Sequence, residues 1–121
     1  MIAFDILDYE CPKGWDKLVK DLCDELALKL EELGLLDEYV VFQAKEKFGG
    51  LRWYDNLDFK EINKIIDKYV EMSRYTCIIC GEMAEWESLG YISPFCNDCI
   101  DEDDMCFTFI PIEEYYGFWE K

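Results

Sequence analysis

YVVFQAKEKFGGLRWYD, residues 39–55, decides how this 121-residue chain folds. Its flanks are rich in β-branched and aromatic residues, and Gly49 and Gly50 interrupt them with the backbone freedom that a two-residue turn between antiparallel strands needs. The pattern predicts a hairpin with strands over about residues 39–48 and 51–55. With Gly49 and Gly50 as the turn, Phe48 faces Leu51 and Lys47 faces Arg52, and Lys45, Lys47 and Arg52 share one face of the hairpin.

Helical patterns flank the hairpin on both sides. Trp15, Leu18, Val19, Leu22, Cys23, Leu26, Leu30 and Leu33 recur at spacings of three and four, with charges between them. Pro12 and Gly14 mark the entry and Gly34 the exit, which predicts an amphipathic helix from about 14 to 33. After the hairpin, Asp58 and Glu61 form a capping-box pattern, and Phe59, Ile62, Ile65, Ile66, Tyr69, Val70 and Met72 keep helical spacing to about residue 74.

Beyond residue 76 the chemistry changes. Cys77, Cys80 and Gly81 form one C-x-x-C knuckle, and Cys96 and Cys99 form a second after a 15-residue interval. Two thiolates separated by two residues wrap one side of a tetrahedral ion, and two such knuckles close the site. Four thiolates leave no open position for water, so the expected metal is a structural Zn2+, with a rubredoxin-like iron centre or a redox dithiol pair as alternatives. Between the knuckles, a turn at Gly90 flanked by Trp86, Tyr91 and Phe95 suggests a short hairpin. Cys23 lies on the apolar face of the first helix and reads as a small buried hydrophobe, while Cys11 and Cys106 read as spare thiols.

Charge is distributed unevenly. The chain carries 28 acidic and 12 basic side chains and no His, a formal net charge of −16. Residues 1–76 hold 17 acidic and 11 basic groups, whereas residues 77–121 hold 11 acidic groups against Lys121 alone. With 51% hydrophobic and 17% aromatic residues, the acidity belongs to a folded surface and not to a disordered tail. A field of this sign repels phosphate backbones, which disfavours direct binding of nucleic acid. Without His, the chain lacks the commonest general base and the His-containing nucleophile pairs and metal sites. No glycine-rich phosphate loop or nucleophile elbow replaces them, so a non-enzymatic role is expected.

Two surface clusters stand out against this background. Lys45, Lys47 and Arg52 fall within eight positions, and either pair with neighbouring carboxylates or receive an anionic group from a partner. Asp98, Asp101, Glu102, Asp103 and Asp104, with Glu82, Glu85 and Glu87, form an acidic counterpart. They read either as a solvated face or as an imitation of nucleic-acid phosphates directed at a basic protein. The run lacks the alternating ligands and turn glycine of a calcium loop. The aromatic tail FTFIPIEEYYGFWEK, residues 107–121, reads as an edge strand packed on the core, with Tyr116 and Trp119 as protein-binding anchors if exposed.

GW at residues 14–15, the leucine-rich helix, KEKFGGLRWY at 45–54, a helix ending near Ser73 and the two knuckles together resemble a family of small uncharacterised proteins found in bacterial and phage or prophage genomes. The resemblance covers residues 14–99 and is most specific at Lys45 to Tyr54 and Cys77 to Gly81. It implies a setting among phage or bacterial accessory genes and no particular reaction; the acidic tail after Cys99 lies outside the shared pattern.

The fold expected is α+β: residues 1–76 form a body of two amphipathic helices on a small antiparallel sheet. Residues 77–121 form a four-cysteine zinc ribbon or treble-clef-like unit with an acidic aromatic tail. The acidic amino terminus carries no export signal and no apolar run spans a bilayer, so a bacterial cytoplasmic location is expected. Two functions follow: a protein that binds and blocks a basic, nucleic-acid-handling partner, or a zinc-ribbon nucleic-acid or transcription accessory module that uses the basic hairpin.

Overall fold

The computed structural model describes residues 3–89, 92–100 and 109–119. In chain order the elements are β1 (Asp5–Ile6), β2 (Tyr9–Glu10), α1 (Asp16–Leu33), β3 (Val40–Lys47), β4 (Gly50–Asp55) and α2 (Lys60–Ser73). They continue with β5 (Trp86–Ser88), β6 (Pro94–Phe95), α3 (Asn97–Ile100), β7 (Phe109–Pro111) and α4 (Ile112–Trp119). The expected α+β class, the long first helix, the hairpin and the second helix are all present.

The leucine spacing of α1 places Leu22, Leu26 and Leu30 on one face, where each is fully buried. Each such side chain contributes about 2 kcal/mol relative to exposure. Ile62, Ile66 and Tyr69 of α2 meet this face, and Val41 and Leu51 of the sheet complete the same core. Gly34 ends α1 in the left-handed conformation (φ 74°), its N–H returning to the carbonyls of Leu30 and Glu31. On the rim, the Glu25 carboxylate accepts from Lys68 Nζ at 2.7 Å and from the Tyr69 hydroxyl at 2.9 Å, tying α1 to α2.

The start of α2 differs from the capping-box expectation. Phe59 occupies the N-cap position with extended backbone and makes no side-chain cap. Asp58 instead accepts from the Asn63 side chain at 2.9 Å, which removes it from the helix N–H groups.

The first sheet is built on the β3–β4 hairpin, antiparallel, with Lys45 opposite Arg52, Glu46 opposite Leu51 and Lys47 opposite Gly50. The turn is therefore Phe48–Gly49, one residue earlier than the glycine pair suggests. Phe48 takes a positive φ of 53° and Gly49 one of 80°, as a two-residue hairpin turn requires. Inward packing sets this register: Leu51 is buried and its N–H donates to Ser73 Oγ at 2.9 Å. β1 and β2 add to β3 in parallel, pairing Asp5 with Val40 and Tyr9 with Ala44.

In the second sheet β5 lies between β6 and β7, antiparallel to both. The tail forms a strand as expected over Phe109–Pro111, but Ile112–Trp119 is helical. Pro111 ends the strand, and Glu113 and Glu114 sit in the first helical turn, where carboxylates suit the helix dipole. No described helix is long and apolar enough to cross a membrane.

Candidate metal centre and the basic hairpin

The first knuckle is a tight turn. Gly81 has φ 84° and donates its N–H to the Cys77 carbonyl at 3.1 Å, while the Cys77 N–H donates to the Glu82 carbonyl at 2.8 Å. The second knuckle begins where β6 ends, with Cys96 just after Phe95 and Cys99 in the single turn of α3. Knuckle, hairpin and helix follow one another in treble-clef-like order. Trp86 Nε1 donates to Asn97 Oδ1, and Asn97 Nδ2 donates to Glu85 at 3.1 Å, so the helix that carries Cys99 is fastened to β5.

The four sulfurs of Cys77, Cys80, Cys96 and Cys99 all lie within 4.8 Å of one another, with Cys80 and Cys96 at 3.5 Å. A tetrahedral ion with metal–sulfur bonds of about 2.3 Å has sulfur–sulfur edges of about 3.8 Å, so the cluster has the size such an ion demands. Its electrostatics point the same way. Burial, followed by the sulfurs of Cys96, Cys80 and Cys77, pushes the Cys99 thiol upward. At Cys77 burial also acts upward, but backbone N–H groups of Cys80, Cys96 and Ile79 aimed at its sulfur outweigh it and bring the thiol below its ordinary value. Four sulfurs this close ionise together only around a cation. The cluster can therefore bind a metal ion, and a full set of four thiolates would leave that ion no open position.

The cluster is anchored to the helical body by residues that the sequence presents only as a helix entry. The Gly14 N–H donates to the Ile78 carbonyl at 2.9 Å, and the indole of fully buried Trp15 donates to the Thr76 carbonyl at 2.9 Å. A Cβ on Gly14 would come within 2.3 Å of the Cys77 carbonyl oxygen, and one on Gly81 within 2.7 Å of the Gly14 oxygen. The two glycines permit a backbone-to-backbone approach that no side chain allows.

Of the remaining thiols, Cys23 is buried in the main core as expected, and burial pushes it up to about 12. Cys11 is partly buried and is likewise pushed up to about 12, chiefly by burial. Both are poor nucleophiles at neutral pH. Cys106 lies outside the described residues.

Lys45, Lys47 and Arg52 share the outer face of the hairpin, as strand alternation from the observed register requires, although Lys45 and not Lys47 is the partner of Arg52. None of the three makes an ion pair among the described residues. The pairing with neighbouring carboxylates considered from sequence is thus not found among them. Lys47 Nζ instead sits 5.6 Å from the ring centroid of Phe48, which is 63% exposed at the tip.

The acidic set divides. Glu82, Glu85 and Asp98 are exposed, as a docking role requires. Glu87 is not: it is 0% exposed, its side chain turned from the face of β5 inward against Gly49. It is withdrawn from the candidate partner surface. Asp101, Glu102, Asp103 and Asp104 lie outside the described residues, as do the side chains of Tyr116 and Trp119.

Fold and site together define an α+β chain bearing a four-cysteine cluster of metal-binding geometry. No family model, curated protein or solved structure matches it.

Proposed function

We propose that this chain is a non-enzymatic interaction module. A structural Zn2+ held by Cys77, Cys80, Cys96 and Cys99 stabilises its carboxy-terminal unit, and its acidic surface docks on a basic, nucleic-acid-handling protein. A nuclease or a defence complex, blocked as a phage anti-defence inhibitor (an anti-CRISPR, for example) or an immunity protein blocks its target, is the partner class that fits. The observation that carries the reading is the closed four-sulfur cluster, whose metal supports a surface and offers no site for a reaction. The net charge of −16 supplies the complementarity, with Glu82, Glu85 and Asp98 exposed beside the cluster. The resemblance to bacterial and phage accessory proteins agrees with a cytoplasmic setting in a bacterial host.

Capture from bacterial lysate tests it. The account expects a partner retained at low salt and lost at high salt, and lost also on Glu82→Lys with Asp98→Lys. Capture of no partner, or binding insensitive to salt and charge reversal, overturns it.

A second reading rests on a separate observation. Lys45, Lys47 and Arg52 share the outer sheet face, Lys45 opposite Arg52, with no ion pair among the described residues. These cations would serve a nucleic-acid or transcription accessory module. Three cations neutralise at most about three phosphates, so affinity would fall with salt at a log–log slope of about −2 to −3. A gel-shift titration separates the two readings.

A further inference from the structure

Glu87 lies in the middle strand of the second sheet, and neither of its carboxyl oxygens has a hydrogen-bond partner among the described residues. The residue is 0% exposed. Its Oε1 occupies the space a side chain at Gly49 would take: a Cβ there would lie 2.5 Å from that oxygen and 3.4 Å from Ile92. The carboxyl thus fills a notch at Gly49 in the hairpin turn of the helical body, where the second sheet meets the first.

The charged groups around it offer no compensation. On β3, Glu46 faces it, and the Glu46 carboxylate is itself engaged by the Gly49 N–H at 2.9 Å. On β6 and β7 the residues paired with Glu87 are Pro94 and Ile110, which bring no charge. At the end of α2, Arg74 lies against Gly50 and pairs with Glu71 at 2.9 Å. An ionised Glu87 in this notch is desolvated, faces a like charge and has no donor among the described residues.

We propose that Glu87 is a proton-held latch: neutral, it closes the metal-bearing unit on the Phe48–Gly49 turn, and ionised, it leaves the notch and frees that turn, which joins the strands bearing Lys45, Lys47 and Arg52. The proposal stands on this seam alone and is independent of the partner. Burial, followed by the charge of Glu46, pushes the Glu87 carboxyl from 4.5 up to about 8. Because the folded value is the higher one, the folded state binds the extra proton. Stability from this group is complete below 4.5 and is lost as pH rises toward about 8.

The test compares zinc-loaded wild type with Glu87→Gln, a neutral isostere that mimics the closed latch. The Glu87 carboxyl carbon, assigned by its absence in the variant, is followed by NMR. Amide exchange protection at Gly49 and Ser88 is measured in both proteins across the same pH range. The expected midpoint is near 8, with the wild-type unfolding constant rising about fifty-fold relative to the variant between about pH 6 and 8. Protection at Gly49 and Ser88 is expected to fall across that midpoint in wild type only. A midpoint in the ordinary carboxylate range overturns the proposal, and the wild-type NMR titration decides this even if the variant fails to fold. A midpoint near 8 with protection unchanged overturns the latch as well, because ionisation would then occur without release.

Discussion

Gly14→Ala probes the contact that joins the metal-bearing unit to the helical body. The added Cβ would lie 2.3 Å from the Cys77 carbonyl oxygen, 2.4 Å from the Ile78 carbonyl carbon and 2.6 Å from its oxygen. All three are backbone atoms, so no side chain can rotate away, and relief needs a displacement of about 1 Å to reach ordinary van der Waals separation. Overpacking of this kind costs about 1–3 kcal/mol. The same displacement lengthens the 2.9 Å bond from the Gly14 N–H to the Ile78 carbonyl, worth about 1 kcal/mol. Alanine recovers up to about 1 kcal/mol of backbone preference in the turn that opens α1. The net loss is about 2 kcal/mol, a fall in Tm of about 8 °C for a chain of this length. Because the strained atoms belong to the first knuckle, transfer of metal to a chelator should also accelerate. Gly34→Ala is the control: no atom stands within 4 Å of its Cβ, so its cost is the left-handed φ alone, with metal transfer unchanged. A Gly14→Ala protein within about 0.5 kcal/mol of wild type by denaturant unfolding, with unaltered metal transfer, would refute the coupling of knuckle to body.

Phe48→Asn should stabilise the chain by about 1 kcal/mol in thermal unfolding, because asparagine accepts the positive φ that phenylalanine resists, and Asn-Gly is the preferred turn pair. An unchanged or lowered Tm contradicts the strain. Lys68 first, then Tyr69, holds the Glu25 carboxyl below its ordinary 4.5. Its contribution is therefore present above that value and disappears as pH falls through the folded value. Glu25→Gln should cost about 0.5 kcal/mol at neutral pH, discounted for solvent exposure, with the difference from wild type vanishing in acid; a difference constant with pH contradicts it. Cys77→Ser or Cys96→Ser should release metal and abolish ordered structure after residue 76 while the α1–α2 core persists; circular dichroism and NMR dispersion decide this, and an intact carboxy-terminal unit contradicts the linkage.

The features legible in the sequence are those written in local spacing. The leucine period announced α1, and the two C-x-x-C pairs announced a cluster whose geometry depends on near neighbours along the chain. The glycine pair announced the hairpin but misplaced its turn by one residue. The register is decided remotely, by burial of Leu51 and its bond to Ser73, and that packing leaves bulky Phe48 in a conformation normally reserved for glycine or asparagine. Remote contacts also account for the other differences. β1 and β2 exist only because β3 offers parallel edges to two-residue segments. Gly14 reads as a helix entry until the knuckle is seen against it. Glu87 stands in a row of acids and carries no local sign that its side chain will be buried against Gly49. The helix after Pro111 did leave a signal, a proline followed by two carboxylates, which the run of aromatics obscured.

Metal content with X-ray absorption at the metal edge tests the central claim most directly, on protein purified without chelator. The account predicts one Zn2+ per chain in a shell of four sulfurs at about 2.3 Å, lost on Cys77→Ser. Absence of bound metal, or a shell containing nitrogen or oxygen ligands, would contradict it.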